Sequence, residues 1–101
     1  MALYRLSARA KSDLLEIAHY TQREWGEAQA KTYVGGLEKF CELLAGFRGI
    51  GRACDEIASQ LKRMEHESHV IFFFPAEDGI LVSRIFHKSR DISDEEFDEF
   101  G

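Results

Sequence analysis

The segment RIFHKSRD, Arg84 to Asp91, gathers three cations and a histidine in a chain whose formal net charge is −5. These residue types suit metal-free cleavage of a phosphodiester. That reaction needs a base for the attacking hydroxyl, an acid for the leaving oxygen and cations at the phosphate. Glu65 or Glu67 would be the base, His87 the acid, and Lys62, Arg63, Arg84 and Lys88 the clamp. A small mixed sheet also presents such residues simply to solvent, with Arg84 paired to a carboxylate. A third use is protein recognition, since arginine and aromatic residues are favoured at interface centres. Strand alternation sends at least one of Phe72, Phe73 and Phe74 away from the main core, and an exposed one would mark a partner surface.

Other chemistries fit poorly. His66, His69 and His87 lie near adjacent strands, but HESH is not the H-E-x-x-H of a helical zinc site. On one regular strand, His66 and His69 point to opposite faces. Ser68 and Ser83 stand near histidines without a G-x-S-x-G elbow. GFRGIGR, residues 46–52, has neither glycine pattern that cradles a nucleotide phosphate. No metal and no cofactor is expected. Cys41 and Cys54 make no disulfide framework, and Cys41 falls on an apolar helix stripe as a small core residue.

The elements that must position these residues follow from periodicity. LYRL, residues 3–6, reads as a strand, and Ser7 as a helix N-cap. Apolar steps at Ala10, Leu14, Ile17, Ala18, Thr21 and Trp25 predict a helix over 8–25, which Gly26 ends. A second helix over 27–45 carries Tyr33, Leu37, Phe40, Cys41 and Leu44 on one stripe. Gly35 and Gly36 cost it about 2 kcal/mol in propensity. They are either a tolerated weak spot or a close helix–helix approach that a Cβ would obstruct. Strands follow at 60–67, 68–74 and 80–87, with the turn PAEDG between the last two. The order β-α-α-β-β-β predicts an α+β fold. An αα-hairpin packs on one face of a small, mostly antiparallel twisted sheet, whose first strand pairs with a non-consecutive neighbour.

The chain has 101 residues, room for one domain, expected over 1–91. Residues 92–101 carry Asp94, Glu95, Glu96, Asp98 and Glu99 without a cation, which leaves the body neutral. This is expected to be a flexible acidic tail. A neutral body argues against a domain that lives on phosphate contacts, and no direct sequence-specific nucleic-acid binding is expected. No signal-peptide pattern and no membrane span can be read, so a cytoplasmic location is expected.

Taken in order, YRLSARAKSDLLEIAHYTQREWG, GRACDEI, SHVIFFF, EDGILVSRIFH and SRD resemble the ParE-type toxins of the RelE/ParE toxin–antitoxin superfamily, from Leu3 to Asp91. The resemblance implies a growth-inhibiting toxin that blocks DNA gyrase and so replication, held inactive in a hetero-oligomer by a ParD-type antitoxin. RelE-type relatives instead cut messenger RNA on the ribosome, with basic residues and commonly a tyrosine or histidine near the last strand. This chain has His87 there and no tyrosine after Tyr33. On the toxin reading Arg84, His87, Lys88 and Arg90 bind the target. On the ribonuclease alternative Glu65, Arg84 and His87 are catalytic. Arg48, Glu67 and Phe74 depart from the ParE pattern, as does the length of the acidic tail.

Overall fold

A computed structural model describes residues 3–47 and 49–90. Arg48, Asp91 and the acidic tail lie outside the described residues. The elements are β1 (Leu3–Leu6), α1 (Ala8–Trp25), α2 (Glu27–Gly46), β2 (Arg52–Ala53), β3 (Lys62–His66), β4 (His69–Ala76) and β5 (Gly79–His87). The five strands form one sheet in the order β1-β5-β4-β3-β2. Only β1 and β5 run parallel. The α+β expectation holds, including the non-consecutive partner of the first strand. The sheet gains β2, whose two residues are too short to show a period.

Ser7 ties the first helix to the last strand. Its Oγ accepts from Ala10 N–H at 3.0 Å and donates to the Ser83 carbonyl at 2.7 Å. Ser83 is the extra residue of a β-bulge, because Phe72 opposes Arg84 while Phe73 opposes Val82. The bulge switches side-chain parity, so Ile80, Val82 and Ile85 all reach the helix-side core. At the strand's start, a Cβ on Gly79 would overlap the Leu3 carbonyl, and φ is +154° there. Glycine lets β1 approach.

Both faces of the sheet are covered. Leu37, Cys41, Leu44, Ile71 and Phe73 pack under the helices, while Cys54, Leu61, Val70, Phe72 and Phe86 form a second core behind. The expectation of an uncovered face therefore fails: Phe72 is fully buried and Phe74 packs partly against the second cluster. The glycine pair is not a tight helix–helix contact either. A Cβ on Gly35 would meet nothing within 4 Å, and one on Gly36 would meet only the His66 ring, at 3.7 Å. Trp25, on the predicted stripe, is 71% exposed.

Candidate functional site

Beyond Leu6 the sheet runs out of β1, and β5 continues with an open edge. Asp13, on the buried stripe of α1, closes part of it. Its Oδ2 accepts from the Ile85 backbone N–H at 2.9 Å and from Arg84 Nε at 2.9 Å, while Oδ1 accepts from Arg84 Nη2 at 2.9 Å. This is a bidentate, charge-assisted pair that substitutes for a strand neighbour. The Arg84 side chain is only 13% exposed. Its guanidinium also lies 4.3 Å from the centroid of the Phe86 ring, and that of Arg90 lies 4.5 Å from it. Phe86 thus anchors two cations at the strand end.

On the helix side, His66, His69 and His87 form one cross-strand row, because His66 pairs with His69 and His69 with His87. The sequence expectation that His66 and His69 point to opposite faces is corrected. They belong to two strands joined by the turn Glu67–Ser68, and directly opposed residues share a face. The rings do not converge. His66 stacks on Phe40 at 4.6 Å, and His69 meets His87 edge-on at 5.4 Å. Among the described residues no group of three or more His, Cys, Asp or Glu is placed to hold a metal ion.

His69 is the enclosed member. The Tyr33 hydroxyl and its Nδ1 are 2.6 Å apart, and the same oxygen accepts from Ser68 N–H at 3.2 Å. The phenol thus bridges the Ser68 backbone and the His69 ring. Burial first, then His87 and His66, lowers the His69 pKa to about 4, and burial raises that of Tyr33. Both are neutral at physiological pH, and an imidazole so depressed is a weak base there. The exposed His87 accepts from Ser89 N–H on Nδ1 at 3.2 Å, closing the turn that follows β5.

The proposed catalytic trio is not brought together. Glu65 pairs with Val70 and shares the second-core face, whereas the neighbouring His66 and His87 lie on the helix side. Arg63 Nη2 and Lys88 Nζ approach Glu65 at 3.8 and 3.9 Å. Arg84 sits at the edge on Asp13. Of the proposed target-binding set, His87, Lys88 and Arg90 are exposed at the strand end, and Arg84 is turned inward. Two adjoining cavities of about 310 and 390 Å³ share Tyr20, His69 and His87, making a groove between α1 and the end of the sheet. Asp13 and Tyr33 went unnoticed as site residues, though Asp13 falls three residues after Ala10 and four before Ile17 on the buried stripe.

Residues 4–92 match the family described as "ParE toxin of type II toxin-antitoxin system, parDE". The chain belongs to the ParE toxin family. It is 37% identical to "Toxin ParE" of Escherichia coli over 93 residues, covering 91% of this chain and 90% of that protein. It is 35% identical to "Toxin ParE1" of Caulobacter vibrioides, covering 88% and 92%. A solved structure titled "Chromosomal ParDE TA system from P. aeruginosa" shares the fold, with TM-score 0.73 and 19% identity over 86% of this chain and 96% of that one. Among the described residues of this ParE-family toxin, no helix is long and apolar enough to cross a membrane.

Proposed function

We propose that this ParE-family toxin acts in the cytoplasm without chemistry of its own, by binding DNA gyrase, and that a ParD-type antitoxin neutralises it in a hetero-oligomer. The observation that carries the reading is the family match across nearly the whole described fold. The separation of Glu65 from His87 by the sheet favours it over RNA cleavage, because an acid and a base must reach one phosphodiester. The contact residues on this reading are His87, Lys88 and Arg90. Arg84 acts from behind by holding the strand end to α1.

The test pairs two assays. Purified protein is added to gyrase with plasmid, and in parallel to ribosomes translating a messenger. Loss of supercoiling or accumulation of cleaved DNA, with the messenger intact, is expected. Replacing Lys88 and Arg90 together by alanine should weaken the gyrase effect at least tenfold, since hot-spot contacts reach about 2 kcal/mol each. His87→Ala should change it only a few-fold. A cut messenger, abolished by His87→Ala, would instead establish the ribonuclease. Co-expression with a ParD-type partner should give co-purification and a raised Tm, as ligands of the native state do.

A further inference from the structure

We infer that the outer face of the αα-hairpin docks a second copy of this chain, α2 against α2, about a two-fold axis between Val34 and Gly35. A glycine inside a helix weakens it relative to alanine. Nothing within the chain requires that weakness at Gly35, where an added Cβ would meet no atom within 4 Å. The missing side chain leaves room for a neighbour from outside. Gly35 borders a groove of about 440 Å³ between α1 and α2, with Ala18, Ala30 and Val34 as its apolar lining. Leu15, one turn before Ala18 on α1, is 61% exposed and carries the apolar surface beyond the groove. This groove shares no residue with the one at the end of the sheet.

Charge indicates what covers it. Lys31 and Glu38 both line the groove, two turns apart on one side of α2. Lys31 has Glu27 at 3.6 Å, while Glu38 meets no cation among the described residues. Antiparallel pairing about the axis sets Lys31 of each copy against Glu38 of the other, about 5 Å to either side. Val34 then opposes Gly35, whose open position receives it. Glu27 comes opposite Glu42, but about 11 Å from the axis, where crossed helices have separated. The face is thus complementary to itself, which is what a two-fold contact demands. One pair of helices makes a small interface, so the association is weak and reversible.

Light scattering and sedimentation of the free full chain should show a dimer that grows with concentration and weakens with salt. Lys31→Glu and Glu38→Lys should each weaken it about tenfold or more, since like charges then meet twice. The chain carrying both exchanges should return to within about threefold of the original, because opposite charges face each other again. Gly35→Gln separates association from folding. Its side chain should abolish the dimer, while Tm in dilute solution rises with the better helix former. A chain that stays monomeric at millimolar concentration would overturn the inference. So would a dimer indifferent to Gly35→Gln, or a double exchange that recovers nothing. A monomeric chain whose Gly35→Gln variant no longer co-purifies with the ParD-type partner would equally overturn it, since the groove would then belong to the antitoxin.

Discussion

Two polar clusters border the same groove, and they handle charge in opposite ways. Asp13 and Arg84 are only 10% and 13% exposed at their side chains, and each meets the other in two hydrogen bonds. Tyr33 and His69 are partly enclosed too, but burial leaves both neutral. The difference lies in the partners. A carboxylate offsets the desolvation of a guanidinium, whereas burial of His69 goes uncompensated and two further imidazoles, His87 and His66, add to it, so losing its proton is the lower-energy state. The charged pair fixes the chain. The neutral pair leaves a seam that titrates.

The largest expected effect comes from breaking the charged pair. Asp13→Ala takes the bidentate counter-charge from Arg84 and the acceptor from Ile85 N–H, and should cost about 3–5 kcal/mol in denaturant unfolding. Adding Arg84→Met should recover much of that loss, because a well-packed apolar replacement removes the stranded charge with it. A cost below about 1 kcal/mol for Asp13→Ala would show that the pair is peripheral to stability.

The neutral cluster should break with acid. The folded-state pKa of His69, about 4, lies below its ordinary 6.5, so the unfolded chain binds more protons between those values. Stability therefore falls as pH drops from about 6.5 toward 4, and this contribution is constant above 6.5. Allowing for partial exposure, the loss is about 1–3 kcal/mol. His69→Gln keeps a side-chain acceptor for the Tyr33 hydroxyl and should flatten that part of the profile. An unchanged slope in the variant, measured from unfolding midpoints between pH 7.5 and 4.5, would assign the acid sensitivity elsewhere.

The contrast between the clusters also marks what was legible. Helix periods, the Ser7 cap and the β4–β5 hairpin came straight from spacing, since each is a local pattern whose partner faces lie within the chain. Asp13 was hidden by its type: a carboxylate on a buried stripe is read as a gap until its cation, 71 residues away, is known. The histidine row was hidden by topology. A three-residue spacing puts His66 and His69 on opposite faces of one strand, but the turn at Glu67–Ser68 sets them opposite each other on two. Phe72 illustrates the same limit on the other face, because no period announces that residues 54–61 return to cover it. Strand-end positions were legible as residues but not as contacts, since nothing local says that Arg84 and Arg90 share the Phe86 ring or that Arg84 meets Asp13.

The smallest effect sharpens the comparison most. Glu67 occupies the turn that delivers Ser68 N–H to Tyr33, and its φ of 53° is a conformation that L side chains disfavour. Glycine is the residue that adopts this backbone without strain. Glu67→Gly relieves the left-handed strain but gives the unfolded chain more freedom, so the two terms largely offset. A net gain below about 1 kcal/mol is expected. The two titrations should then part company. Glu67 is among the charges that raise the Tyr33 pKa, whereas His69 is shifted by burial, His87 and His66. Following both groups by NMR, Tyr33 should titrate lower in the variant while His69 stays where it was. If His69 moves as well, the turn rather than burial holds the imidazole neutral, and the seam would be a property of Glu67 and Ser68 instead of the histidine row.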